Sequence, residues 1–226
     1  MFNEYNNSKL FVFVGHFGSG KTETATNFAI ELRKHTDKVN IIDLDIVNPF
    51  FRTEDLRGKL EGKDIKVISS CFAGTNVEMS AIPANIPITI EEKDSKTILD
   101  IGGDDIGAKI LSSFRDYILA QKARIYCVVN TFRPYTDTEE KIIKMVEYIE
   151  RSSRLKISAL INNTNLADET LLEDILESQK IIENVSRKMS IPISFICVNE
   201  SLAEEAGKIL KYSIIVHKLR VELPWR

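Results

Sequence analysis

Apolar, β-branched runs recur along the chain, with amphipathic stretches between them. The runs are Leu10–Val14, Val39–Ile42, Ile65–Ile68, Thr97–Leu99, Ile125–Val129, Ile157–Ile161 and Ile193–Val198. They are nearly continuous rather than alternating, which is the pattern of strands covered on both faces. Helices are expected at Thr22–Lys34, Asp104–Ala120, Thr138–Ser152, Asp168–Lys188 and Leu202–Tyr212. Within Glu139–Ile149, the residues Ile142, Ile143, Val146 and Ile149 keep the 3–4 spacing of one helix face. Short strands alternating with helices imply βαβ units. The right-handed crossover rule then predicts a three-layer, doubly wound α/β fold, with a mostly parallel sheet flanked by helices. No repeat, linker or low-complexity tract interrupts the 226 residues, so one domain over residues 1–226 is expected. In such folds ligands sit at the carboxyl ends of strands. The polar residues that end each run therefore carry the functional information.

Composition narrows the classes. With 43% hydrophobic and 28% charged residues, a wholly disordered chain is excluded. Lys and Arg number 30 and Asp and Glu 33, a net charge of −3 that provides no overall field for gathering nucleic acid. Cys71, Cys127 and Cys197 are widely spaced, and two lie inside apolar runs. They read as core thiols of a reducing compartment, with no C-x-x-C pair to hold zinc or an iron–sulfur cluster. No stretch reaches the roughly 20 apolar residues needed to span a bilayer. The polar Met1–Lys9 lacks the apolar stretch of a secretion signal. A cytoplasmic protein without stable membrane association is expected.

The first run leads straight into Gly15-His16-Phe17-Gly18-Ser19-Gly20-Lys21-Thr22, followed by a helical stretch opening at Glu23. This fits G-x-x-x-x-G-K-[ST] fully. Glycines let consecutive backbone N–H groups curl around a phosphate without Cβ clashes. The helix N-terminus adds its positive end. Lys21 is placed to bridge β- and γ-phosphate oxygens, and the Thr22 hydroxyl to ligate Mg²⁺. The second run ends Asp43-Leu44-Asp45, where a carboxylate can orient water against a γ-phosphate. A later run ends Asp100-Ile101-Gly102-Gly103. Asp100 fits a Mg²⁺-side carboxylate, and Gly103 fits a loop that needs a bare N–H near the γ-phosphate. Asp104 and Asp105 read as caps of the next helix.

Together, Gly15–Thr22, Asp43-x-Asp45 and Asp100-x-x-Gly103 resemble the MinD/ParA-type ATPases of the SIMIBI class of P-loop proteins, over about Leu10 to Ala206. The resemblance implies a Walker A cradle formed by Gly15, Gly18, Gly20, Lys21 and Thr22, with His16, Phe17, Ser19 and Glu23 alongside. It makes Asp45 the carboxylate that positions attacking water beside the metal, Asp43 its support, Asp100 the Walker B acid and Gly103 the switch II glycine. It puts Asn162 or Asn163 on the purine edge, with Val198 and Asn199 beside the base. It also implies ATP with ADP as product, Mg²⁺, a nucleotide-dependent homodimer and a protein partner. One departure is His16. The family often has a lysine there that reaches the other subunit's phosphates, and histidine is shorter. Guanine readers use [NT]-K-x-D. The matching Asn162-Asn163-Thr164-Asn165 ends in Asn and has no Lys, which favours adenine. An ATP-dependent ligase or kinase of the dethiobiotin synthetase-like branch and a non-hydrolysing nucleotide-binding regulator stand as alternatives.

Lesser features have plain readings as well. Phe50, Phe51 and Arg52 follow Asp45 and would face either a partner or the core. Arg133, in Asn130-Thr-Phe-Arg-Pro134, would line the cleft or sit in a simple loop. The C-terminal Lys208–Arg226 mixes basic and apolar residues. Its β-branched Ile214-Ile215-Val216 and its Pro224 favour a final element packed on the sheet over a membrane helix.

Overall fold

The structure, a computed structural model, describes residues 8–45, 53–69 and 85–218, without the side chains of 104–106. Eight strands form one sheet: β1 (Leu10–Val14), β2 (Val39–Leu44), β3 (Ile65–Ser69), β4 (Lys96–Ile101), β5 (Arg124–Val129), β6 (Ala159–Asn162), β7 (Ile193–Asn199) and β8 (Ile214–His217). Their order is β3-β2-β4-β1-β5-β6-β7-β8, and every pairing is parallel. The helices are α1 (Lys21–Arg33), α2 (Arg57–Glu61), α3 (Asn85–Glu91), α4 (Asp104–Ser113), α5 (Arg115–Ala120), α6 (Glu139–Ser153), α7 (Leu172–Met189) and α8 (Ala203–Ile209). This is the expected doubly wound α/β architecture.

Strand β1 shows why the runs had to be continuous. Leu10, Val12 and Val14 face one side and pack with Leu111, Phe114, Ile142 and Val146. Phe11 and Phe13 face the other and pack with Phe28 and Leu32 of α1. Both faces are covered, so every position of β1 is buried. Phe28 lies 5.1 Å from Phe11, 5.3 Å from Phe13 and 5.9 Å from Phe195, centroid to centroid. Burying such a ring stabilises the fold by about 2–3 kcal/mol. Cys127 and Cys197 are buried thiols, and burial pushes both pKa values up to about 12.

From β1 the chain moves outward to β2 and β3, returns with β4 beside β1, then adds β5 on the other side. The order therefore reverses at the carboxyl end of β1, where such folds open a ligand crevice.

Three local readings change. The expected helix over 104–120 breaks at Phe114, whose φ of −96° and ψ of 7° leave the helical region. The break divides the segment into α4 and α5, and both Phe114 and Ile118 end in the core. The cap of α4 is Gly103, not Asp104 or Asp105, which open its first turn. Helix α7 starts at Leu172 rather than Asp168. A 3-10 turn over Ala167–Glu169 is closed by the Thr170 hydroxyl donating to the Ala167 carbonyl, and Asp174 accepts the Leu171 N–H. The short helices α2 and α3 have too few turns to show a period in the sequence. The expected final element is β8, the eighth parallel strand.

Candidate functional site

The loop between β1 and α1 takes its shape from glycine. Gly15, Gly18 and Gly20 all have positive φ, at 149°, 74° and 79°. Gly20 is left-handed where it caps α1. A side chain there would also collide with the amide nitrogen of Asn163. Lys21 is buried, at 6% exposure, and its Nζ donates to the His16 carbonyl at 3.0 Å. The lysine thus curls over its own loop, beside the N–H groups of the first turn of α1. That combination of ammonium and helix N-terminus suits an anion.

The carboxylates come from neighbouring strands. Asp43 on β2 lies in register with Asp100 on β4, which lies in register with Phe13 on β1. Asp43 is buried. Its oxygens accept the Asp45 N–H at 3.0 Å and the Glu54 N–H at 3.4 Å, so it anchors the strand end. Asp45 follows, half-buried. A Cβ on Gly102 would stand 2.9 Å from its Oδ1, so its carboxylate overlies the loop after β4. Gly103 sits equally close to the glycine loop, where a Cβ would stand 2.7 Å from the Phe17 nitrogen.

Asp100 is 1% exposed. Its Oδ2 accepts from the Thr53 hydroxyl at 3.0 Å, while its buried Oδ1 has no hydrogen-bond partner among the described residues. Burial pushes its pKa up to about 6, against the opposing pull of Thr22, Lys21 and Thr53. A buried, unpartnered carboxylate oxygen near the Thr22 hydroxyl fits a hard cation. Among the described residues no group of three His, Cys, Asp or Glu forms a metal cage.

The loop after β6 braces the glycine loop from behind. Asn163 is fully buried, and its Nδ2 donates to the Ser19 carbonyl at 2.7 Å and to the Gly20 carbonyl at 3.4 Å. Asn165 in turn donates to the Asn163 carbonyl at 2.9 Å. Asn162 is also fully buried. Its Nδ2 donates to Ser178 and Gln179 at 3.0 Å each, and its Oδ1 accepts the Thr164 N–H. In this structure the Asn162 amide is tied to α7 and the Asn163 amide to the glycine loop. Val198 and Asn199 end β7, both buried, and Asn199 donates to the Ala167 carbonyl. Glu23 is half-buried in the first turn of α1.

Two partners, Thr53 and Tyr135, were not legible in the sequence, and Arg133 stood there between the cleft and a simple loop. Thr53 reaches Asp100. Arg133 is placed over the glycine loop, with its Nε donating to the Gly18 carbonyl at 2.9 Å. The His16 ring stacks on Tyr135, centroids 4.7 Å apart and planes 22° from parallel. Phe17 and Tyr135 are 54% and 66% exposed at this rim. Phe50, Phe51, Arg52, Cys71 and residues 219–226 lie outside the described residues. Among the described residues no helix is long and apolar enough to cross a membrane.

No family model matches this chain, and no curated protein matches it. Solved structures do. The cell division protein FtsY from Thermotoga maritima is 18% identical, with a TM-score of 0.55, over 84% of this chain and 62% of that one. FtsY from Mycoplasma mycoides is 17% identical, with a TM-score of 0.58, over 85% and 61%. The signal recognition particle 54 kDa protein from Aeropyrum pernix, solved in complex with GDP, is 18% identical, with a TM-score of 0.54, over 84% and 41%. The chain thus spans between 41% and 62% of the length of these structures. At such identities the likeness establishes the fold, which is that of the P-loop NTPases.

Proposed function

We propose that the chain is a MinD/ParA-type switch of the SIMIBI class, one that binds a Mg²⁺-nucleoside triphosphate, hydrolyses it slowly and changes its hold on a protein partner. The observation that carries this reading is the buried, unpartnered Asp100 Oδ1 beside Thr22 and the buried Lys21. Lys21 would exchange the His16 carbonyl for β- and γ-phosphate oxygens and stabilise charge on the transferring group. Thr22 and Asp100 would hold Mg²⁺. When bound, the metal neutralises phosphate charge and fixes phosphate geometry. Asp45, at the mouth of the cleft, would orient the attacking water and accept its hydrogen bond. The N–H of Gly103, close against Phe17, would report the γ-phosphate to α4. The base is proposed to be adenine, because Asn165 stands where a guanine reader uses a carboxylate. The GDP in one similar structure belongs to that protein.

Equilibrium titration with fluorescent ATP and GTP in Mg²⁺, paired with single-turnover hydrolysis, tests this reading. ATP is expected to bind at least tenfold tighter than GTP. Lys21→Ala should weaken binding at least a hundredfold; wild-type affinity in that variant would remove the phosphate-loop assignment. Asp45→Ala should keep affinity within about threefold while turnover falls at least tenfold. Unchanged turnover would take Asp45 out of the reaction.

A further inference from the structure

A cavity of about 530 Å³ lies on the face of the sheet opposite α1, between α4, α6 and the carboxyl ends of β1 and β4. Its walls are apolar: Val14 and Ile101 from the sheet, Leu111 from α4, and Met145 and Ile149 from α6. One end is closed by Gly15, His16 and Gly102, the outer rim of the glycine loop and the turn after Asp100. Its size falls within the range of small-molecule sites, about 300–1,000 Å³.

The charged side chains among the described lining residues have one sign. Lys141 and Lys144 of α6 border it, and no Asp or Glu is among its described lining residues. Lys141 is engaged: its Nζ donates to the Pro134 carbonyl and pairs with Asp137, both at 2.7 Å. Lys144 is exposed, with neither a hydrogen bond nor an ion pair among the described residues. An apolar chamber with a spare ammonium at its wall is complementary to an anion carrying an apolar body. A neutral apolar molecule would leave the ammonium unused, and a cation would meet two like charges.

We propose that this cavity is a binding site for a small organic carboxylate, its apolar body against Leu111, Met145 and Ile149 and its carboxylate on Lys144. Binding there does not depend on the nucleotide reading. If that reading also holds, the carboxylate site and the phosphate loop share Gly15 and His16, and the two ligands lie on either side of the rim.

Isothermal titration of the full, nucleotide-free chain with octanoate, octan-1-ol and octylamine tests the proposal. Octanoate should bind at least fivefold tighter than octan-1-ol, and octylamine should not bind. Lys144→Gln, at an exposed helix position, should erase the octanoate preference while leaving the weak octanol binding in place. Met145→Trp should fill the chamber and weaken octanoate at least tenfold. If Met145→Trp loses its circular dichroism spectrum, the charge series and Lys144→Gln decide alone. Three results overturn the proposal: no binding of octanoate, equal binding of all three probes, or an octanoate affinity indifferent to Lys144→Gln.

Discussion

Asp100 concentrates the chemistry of the site in one side chain. It is removed from water, in register with a second carboxylate, and short of a partner for one oxygen. Its pKa rises from 3.8 to about 6, so the folded chain holds this proton more tightly than the unfolded chain does. Ligand-free stability should therefore fall as pH rises from about 4 to about 6, and the full penalty should persist above that. At about 1.4 kcal/mol per pH unit, the ionised group costs the fold at most about 3 kcal/mol. Asp100→Asn should thus melt several degrees higher than the wild type at pH 7.5 without ligand, with the gap closing towards pH 4. The same variant should lose the Mg²⁺ dependence of nucleotide binding. Thermal melts across pH and nucleotide titrations with and without Mg²⁺ read both effects; a lower melting temperature at pH 7.5 would contradict the account. Lys21 and Asp100 were legible because their motifs are local. Thr53 was not, since it lies 47 residues from the carboxylate it serves.

The glycine loop is an element that its own sequence does not hold in place. Strand β1 and helix α1 fix its ends, while the loop after β6 fixes its middle through Asn163, 144 residues away. The loop after β5 adds Arg133 on Gly18, 115 residues away. Removing the Asn163 amide takes a buried donor from the Ser19 carbonyl, at a cost of about 1–3 kcal/mol, while the Gly20 carbonyl keeps Thr24. Asn163→Ala should therefore lower the melting temperature by several degrees. It should also weaken nucleotide binding about tenfold, because the loop is no longer held in its binding shape. Unchanged affinity in a folded variant would show that α1 alone shapes the loop. The resemblance implies a purine contact for Asn162 or Asn163, and it took packing to bring the Asn163 amide to the glycine loop. The break at Phe114 teaches the same lesson. The apolar spacing runs on through Asp104–Ala120, yet the backbone breaks at Phe114, and Phe114 and Ile118 are both buried.

At the scale of the molecule, the open question is what covers the rim. Phe17, Phe132 and Tyr135 are exposed around the glycine loop, with Arg133 among them, and His16 is stacked on Tyr135. A nucleotide-sandwich dimer would bury this rim. Sedimentation with Mg²⁺ plus no nucleotide, ADP or a non-hydrolysable ATP analogue should show a dimer only with the analogue. The same oligomeric state in all three would remove the dimer cycle and leave a monomeric switch. The sequence by itself determined the alternation of strand and helix, the burial of the sheet on both faces, and the phosphate-binding motif. Hydrophobic period and glycine placement act over a few residues, where the chain is its own context. Tertiary structure decided the strand order, and with it which distant loops meet the motif. It brought Thr53, Arg133 and Asn163 to the site, and it left a positive, apolar chamber behind the rim. Those arrangements depend on which strands become neighbours, which is set by packing of the whole sheet rather than by any local run of residues.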